Sequence, residues 1–281
     1  MHNTGQRSRF LITVTCFGLA FLYIPMALLV FYSFNYSKIV PVWGGFSTRW
    51  YTKLFESEEV WSAVILSFKI ATVTACFATL MGTLAGLALV RFGQFKGRTL
   101  FTGMITAPLV MPEVITGLSL LLLFITLGDL IGWPERRGFT TITIAHITFS
   151  MAYVTIIIQS RLAGMAQDLE EAAQDLGAKP FRVLIDITVP LIAPGMVAGW
   201  LLSFTLSLDD LVIASFVTGP GAVTLPILIY SRVRLGLRPD INALATIFII
   251  VVATAAFVAW WIMLRQQKKR ELEMQMSSEE G

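Results

Sequence analysis

The residues of this sequence with the clearest chemical potential are acidic side chains inside long apolar runs. Asp209 and Asp210 are adjacent within the apolar stretch 195–217, and Glu113 lies within the stretch 100–127. A charge at the centre of a bilayer costs about 2.5–3.5 kcal/mol on insertion scales, so charges at that depth mark a protein interior or a polar path. These carboxylates therefore predict a polar path across a membrane that attracts a cationic solute.

The orientation of the two adjacent aspartates depends on whether their helix is continuous. In a continuous helix they would point about 100° apart, and Asp210 would share a face with Ser203 and Ser207. Only one of the two carboxylates would then face a narrow pore squarely. Alternatively, one carboxylate caps a broken helix segment, or pairs with Lys69 or with an arginine of a partner subunit. The sequence leaves both arrangements open.

A helix rise of about 1.5 Å per residue places the intramembrane polar residues at a common depth. Glu113, the two aspartates, His146 and Lys69 fall in the outer half of a hydrocarbon core about 30 Å thick. Carboxylates outnumber fixed cations in this layer, which suits a cationic solute. A lone histidine is more typical of a hydrogen bond between helices than of a ligand, and this alternative applies to His146. The predicted pathway residues are Glu113, Asp209, Asp210, Ser207, Ser203 and His146.

The composition excludes several other functions. Of the 281 residues, 56% are hydrophobic and 14% are charged, whereas soluble domains carry about 25% charged residues. The net charge of +3 is too small and too dispersed to indicate nucleic-acid binding. Two cysteines, both in apolar runs, and two histidines exclude a disulfide framework and a histidine-rich metal site. We therefore expect no resident metal or cofactor.

Six apolar stretches are long enough to cross a bilayer core, which takes about 20 residues. They are 10–34, 61–90, 100–127, 139–160, 195–217 and 241–264. If the N-terminus is inside, Lys and Arg number 12 in the inner segments and 8 in the outer segments, which favours both termini in the cytoplasm. The first stretch is too long for a signal-peptide core and lacks a small-x-small cleavage site, so we expect it to be a retained span.

Two prolines four residues apart are expected to interrupt the third stretch. Pro108 and Pro112 each lack a backbone N–H, so the carbonyl four residues earlier loses its helical partner. Open backbone at membrane depth is tolerated only against protein or a water-filled cavity. Because Glu113 follows directly, the sequence predicts a kinked or opened helix beside a polar cavity.

The segment 161–194 is a polar interruption between the fourth and fifth stretches. Residues 168–176 begin with acidic side chains and are rich in Ala, Glu and Leu, which predicts a helix that ends at Gly177. Lys179-Pro180 begins a second helix, with proline at a first-turn position, and this helix is expected to end toward Pro190. Spacing alone does not exclude a plain amphipathic linker on the cytoplasmic face.

This segment resembles the EAA loop of ABC-importer permeases. Glu171-Ala172-Ala173 is followed by Gly177 and, after nine further residues, by Ile187-Thr188-Val189-Pro190, where the family pattern ends Ile-x-Leu-Pro. The resemblance implies an all-α integral membrane protein with six transmembrane helices, in the type I (MetI-like) ABC-importer permease fold with cytoplasmic EAA coupling helices. The implied organisation is one permease domain over 1–281, with a first span at 10–34, a MetI-like core at 60–264, a cytoplasmic coupling loop at 161–194 and a cytoplasmic tail at 265–281.

In that family the EAA helix docks into a cleft of an ATPase subunit. The resemblance implies that Glu171 makes a polar contact there, that Ala172 and Ala173 allow close docking, and that Gly177 permits the turn; Ile187 and Pro190 complete the coupling pattern. The chain has no G-x-x-x-x-G-K-[ST] phosphate loop, so it is expected not to be an enzyme, and a partner subunit would bind ATP and Mg. The implied partners are an ABC ATPase dimer, a second and non-identical permease subunit, a periplasmic binding protein and the lipid of a bacterial inner membrane.

Two longer runs, 107–117 and 207–214, resemble the polyamine-importer permeases, most closely those of putrescine systems. This resemblance implies ATP-driven import of putrescine or a related polyamine, which agrees with the excess of intramembrane carboxylates. The chain has Glu113 where that group usually has aspartate. The alternatives are an ABC-importer permease for another solute (ferric ion, sulfate or a peptide) and a secondary transporter that acts alone. Sulfate would require cationic groups in the polar layer, and Lys69 is the only one available there.

Overall fold

The computed structural model describes residues 4–38, 42–165, 168–236 and 239–279, and these residues are almost entirely helical. The helices are α1 Thr4–Ser33, α2 Arg49–Phe55, α3 Glu58–Arg91, α4 Arg98–Val110, α5 Glu113–Ile131, α6 Phe139–Ala163, α7 Asp168–Asp175, α8 Pro180–Val183, α9 Val189–Asp209, α10 Val212–Val217, α11 Leu225–Arg234 and α12 Pro239–Glu279. A π-helical segment, Leu184–Thr188, joins α8 to α9.

Within the described residues, five helical segments are long and apolar enough to cross a membrane. They are Phe10–Ser33, Glu58–Arg91, Glu113–Ile131, Phe139–Ala163 and Pro180–Asp209. The predicted stretch 100–127 is divided between α4 and α5, so that α5 alone meets the length requirement. The predicted stretch 241–264 lies inside α12, whose described apolar part, Pro239–Thr254, is shorter.

The contacts divide the chain into two compact units, one of which comprises Glu58–Tyr230. In this unit α3, α6 and α9 pack against one another. The helices α3 and α6 approach closely at Gly82, where an added Cβ would lie 2.6 Å from Val154 Cβ, well inside van der Waals contact. No larger residue fits there without displacing α6, so this glycine brings the α3 backbone against α6.

The other unit comprises Met1–Ser57 and Ser231–Gly281, and in it α12 packs against α1 and α2. The short α2 is held by buried Trp50, whose indole N–H donates to the Asn35 carbonyl at 2.6 Å. Asn35 also fixes the preceding loop, because its side chain accepts from Gly44 N–H at 2.8 Å and donates to the Val42 carbonyl at 2.7 Å. The apolar side chains of Phe10–Ser33 are almost all exposed within the unit, which is the pattern of a lipid-facing span.

The break between α4 and α5 confirms the effect predicted for the proline pair. The α4 helix ends at Val110, and Met111 is extended, with φ −76° and ψ 137°, because the following proline disfavours a helical conformation there. Pro112 is likewise extended, and α5 begins directly at Glu113. Two half-helices therefore replace one continuous span.

The prediction that the second loop helix ends toward Pro190 is wrong. The helix that begins at Pro180 continues through the π-helical segment into α9. Val189 N–H donates to the Leu184 carbonyl five residues earlier, which is the π-helical pattern. Pro190 lies directly after this wider turn, at the second position of α9.

Candidate functional site

The two aspartates lie at a second helix break, between α9 and α10. The α9 helix ends at Asp209, and Asp210 is extended, with φ −65° and ψ 124°. The Asp210 carboxylate accepts from Ala214 N–H at 2.7 Å and from Ile213 N–H at 3.3 Å. Of the two arrangements that the sequence left open, the structure therefore has the broken helix, with Asp210 capping the start of α10.

His146 joins this break to α6. Its side chain is 3% exposed, with Nδ1 2.7 Å from the Ser207 hydroxyl oxygen and Nε2 3.1 Å from Asp210 Oδ2. A neutral imidazole with its proton on Nε2 satisfies all three groups, because it donates to the carboxylate and accepts the serine O–H. The Ser207–His146–Asp210 network thus bonds α6 to the end of α9 and to the start of α10.

An apolar cluster of α6 and α10 residues lies next to this network. Ile142, Ala145 and Phe149 of α6 pack there with Ile213 and Val217 of α10, and all five are buried. Low polarity strengthens hydrogen bonds and makes an unpaired polar group costly. The network therefore stabilises one position of α10 relative to α6.

The other predicted pathway residues occupy different environments. Asp209 is exposed at the end of α9, and Glu113 is exposed in the first turn of α5. Ser203, one turn before Ser207, is completely buried, and its hydroxyl has no hydrogen-bond partner among the described residues. Thus His146, Ser207 and Asp210 come together, whereas Asp209 and Glu113 present their carboxylates outward from this chain.

The two half-helices that begin with acidic groups are packed against each other. A Cβ added at Gly117 of α5, one turn after Glu113, would lie 2.7 Å from the Phe216 ring and 3.3 Å from Ile213 Cα, so α5 and α10 approach closely there. The α5 half-helix begins at Glu113, and the α10 half-helix begins at Val212, two residues after the capping Asp210. Acidic groups stabilise the positive N-terminal ends of helices. Glu113 therefore stabilises the start of α5, and Asp210 stabilises the start of α10.

The segment between α6 and α9 forms a helix, a glycine turn and a second helix. Gly177 has φ +87°, and Ala178 N–H donates to the Ala173 carbonyl at 3.0 Å across it. This is the six-to-one bond of a Schellman cap, which favours glycine because other residues rarely adopt positive φ. The predicted end of α7 at this glycine is confirmed.

The exposed surface of this turn displays large apolar side chains. Glu171 and Ala172 are exposed, Ala173 and Ile187 are half-buried, and Pro190 is exposed. A cavity of about 680 Å³ is lined by Ala173, Leu176, Gly177, Ala178, Lys179, Phe181 and Arg182. Leu176 is 90% exposed and Phe181 is 73% exposed. Large apolar side chains displayed together on a polar segment are typical of a protein-docking surface.

Glu170, which the sequence gave no reason to select, has more defined contacts than its neighbour Glu171. Its carboxylate accepts from Arg91 Nη2 at 3.3 Å and from the Thr188 hydroxyl at 2.7 Å. Arg91 Nε also lies 3.0 Å from Glu170 Oε2, an ion-pair contact that is not aligned as a hydrogen bond. The three residues belong to α7, the end of α3 and the π-helical segment, so only the folded chain reveals the contact.

The sequence from 78 to 271 matches the family described as binding-protein-dependent transport system inner membrane component, which is more than half of the chain. The chain therefore belongs to this family of ABC-importer membrane subunits. Its multi-pass helical character, its place in an inner membrane and its role as a non-catalytic membrane component agree with the sequence expectations.

Two curated relatives define the chain's place within the family. It is 55% identical over 269 residues, 96% of each chain, to the putrescine transport system permease protein PotI of Escherichia coli (strain K12). It is also 41% identical over 250 residues, 89% of this chain and 92% of the relative, to the spermidine/putrescine transport system permease protein PotC of the same organism.

Two solved structures share the fold. A chain of a bacterial ABC transporter for the import of the acidic polysaccharide alginate matches with a TM-score of 0.70 and 14% identity, over 92% of this chain and 98% of that chain. A chain of the MetNI methionine ABC transporter matches with a TM-score of 0.58 and 15% identity, over 74% of this chain and 98% of that chain. These similarities confirm the type I ABC-importer permease fold.

Proposed function

We propose that this chain is the permease subunit through which an ATP-driven importer moves putrescine, or a closely related polyamine, into the cytoplasm. The observation that carries this proposal is the 55% identity with a putrescine permease over 96% of both chains. The outward-facing carboxylates at the two helix breaks support a cationic substrate, because a charge at membrane depth must meet protein, water or an opposite charge.

Two of the pathway residues are suited to contact the substrate directly. Glu113 and Asp209 are exposed in this chain, and each stands at the broken end of a half-helix. A diamine has two ammonium groups, which match two separate carboxylates. Asp210, Ser207 and His146 would hold the second break in position. Ser203 lies on the same face of α9 as Ser207, one turn earlier, and would belong to the same polar region.

The partners in this proposal are an ABC ATPase dimer, a second and non-identical permease, and a periplasmic polyamine-binding protein. The open apolar surface at Leu176 and Phe181 supports docking of the ATPase, with Glu171 as a polar contact beside it. This assignment puts the coupling loop 161–194 and both termini in the cytoplasm. It treats 1–281 as one permease domain, with the core at 60–264 and the tail at 265–281.

Uptake by the complete importer tests the proposal. The chain is co-expressed with the ATPase, the second permease and the binding protein of its system in cells that lack polyamine uptake, and radiolabelled putrescine, spermidine and sulfate are supplied. We expect ATP-dependent accumulation of putrescine that an excess of unlabelled diamine competes away. A thermal-shift assay on the binding protein with the same solutes provides an independent check. If neither polyamine enters the cells nor binds the binding protein, while another solute does both, the substrate assignment is wrong.

A further inference from the structure

The side chain of Glu170 joins the coupling helix α7 to two other helical elements of the chain. Glu170 receives Arg91 from the cytoplasmic end of α3 at 3.3 Å and Thr188 from the π-helical segment at 2.7 Å. These partners lie 79 residues before it and 18 residues after it in the chain. A single carboxylate therefore connects three elements that are distant in sequence.

The contact is shielded from water more than an ordinary surface ion pair. The side chains of Arg91 and Glu170 are each 14% exposed, and Thr188 is 3% exposed. Exposed ion pairs contribute little because water screens them and two long side chains lose freedom. A largely buried carboxylate with charged and hydroxyl donors is held in one position, since losing either donor leaves a charge incompletely satisfied.

The covalent path from α7 to α9 is the less rigid connection. It passes through Gly177 at φ +87°, then through α8 and the π-helical segment. Turns of this kind and π-helical segments are positions where backbones bend. A displacement of α7 that followed the backbone alone could be absorbed there before it reached α9. The Glu170 contacts bypass the turn, because Thr188 is the last residue before α9 and Arg91 is the last residue of α3.

We propose that Glu170 is the positioning residue that transmits movement of the coupling helix to α3 and α9, whereas Glu171 faces the ATPase. This inference rests on the proposed coupling role of α7. Arg91 and Thr188 both donate to the Glu170 carboxylate, so α7, the end of α3 and the start of α9 move together. Removal of these two hydrogen bonds leaves the docking surface at Leu176 and Phe181 in place and weakens the connection from α7 to α3 and α9.

The test compares transport with ATP hydrolysis in the complete importer, reconstituted in liposomes with loaded binding protein. In Glu170→Gln, the ATPase subunits still co-purify with the permease, while putrescine imported per ATP hydrolysed falls about tenfold, the effect of losing one charged hydrogen bond. Thr188→Val, which keeps the side-chain shape, lowers the same ratio by a smaller factor. Asp175→Asn is the matched control, because it neutralises an exposed carboxylate on the same helix and leaves the ratio unchanged.

The exchanged pair Arg91→Glu with Glu170→Arg adds a rescue that a general loss of stability would not give. We expect this double variant to recover most of the import per ATP that either single exchange loses. The inference is overturned if Glu170→Gln transports with the wild-type ratio, or if it fails by releasing the ATPase, which would make Glu170 a docking residue. If Glu170→Gln does not fold, a wild-type ratio in Thr188→Val overturns the inference equally. Absence of polyamine transport by the wild-type complex would instead count against the proposed function itself.

Discussion

Replacing His146 by leucine should weaken the attachment of α10 to α6, because the substitution removes both hydrogen bonds of the buried ring, although Thr141 of α6 still donates to the Val217 carbonyl. A bond to a carboxylate contributes about 1.5–3 kcal/mol, and hydrogen bonds between helices in membranes average about 0.6 kcal/mol. The Asp210 carboxylate keeps two backbone donors, Ile213 and Ala214, so the loss is confined to the ring's own bonds. We therefore expect His146→Leu to lower the free energy of unfolding by about 2–3.5 kcal/mol.

The assay is thermal unfolding of the purified protein in detergent. At about 2–4 °C per kcal/mol for a chain of this size, His146→Leu should lower Tm by about 4–14 °C. Ser150→Ala is the matched control, since Ser150 lies one turn further along α6, is fully buried and has a hydroxyl with no partner among the described residues. Removing an unbonded hydroxyl is close to neutral or stabilising, so this control should shift Tm very little.

A double-mutant cycle with Asp210→Ala separates the network from general packing. If His146 and Asp210 interact as the geometry indicates, the double variant should be less destabilised than the sum of the single variants, by about 1.5–3 kcal/mol. Strict additivity, or equal Tm losses in His146→Leu and Ser150→Ala, would refute the reasoning.

Three further perturbations address the pathway and the coupling surface. Glu113→Gln and Asp209→Asn should each raise the KM for putrescine uptake about tenfold, about 1.4 kcal/mol for a lost ion pair, whereas Asp129→Asn near the C-terminal end of α5 should not. Uptake at graded putrescine concentrations measures this, and unchanged kinetics would remove both residues from the pathway. Glu171→Lys should abolish ATP-driven uptake while the protein stays in the membrane, as immunoblots of membrane fractions would show, and normal uptake would contradict the docking role. Gly177→Val should cost about 1–2 kcal/mol, because a residue with a Cβ is strained at positive φ; denaturant titration measures it, with Gly103→Val in α4 as a control at an unobstructed position.

The two helix breaks differ in how far the sequence predicts them. At Pro108 and Pro112 the cause is local, because proline lacks a donor and disfavours helix in the residue before it. The run from Ser207 to Val212 contains no proline or glycine, so a continuous helix and a capped break were equally compatible with it. The break there is stabilised by His146, whose position relative to Asp210 depends on how α6 packs.

The coupling loop shows the same division between local and long-range causes. The end of α7 at Gly177 follows from composition and from the tolerance of glycine for positive φ. The continuation of the helix past Pro190 does not follow from composition, because it depends on a π-helical turn for which the sequence has no local signal. Glu170 and Glu171 are chemically identical neighbours, and the positions of Arg91 at the end of α3 and of Thr188 before α9 distinguish them.

The close approach at Gly82 has a consequence for how the protein changes shape. With the α3 backbone against Val154, sliding of α3 along α6 would force a branched side chain out of its groove, so these two helices should turn as one rigid body. Relative motion is then easier at Met111–Pro112, where the backbone between α4 and α5 is extended, than at Asp210, which His146 bonds to α6. Alternation between inward-open and outward-open states would use Met111–Pro112 as a hinge with Glu113 beside it, so a residue proposed to meet the cation would also be one that moves.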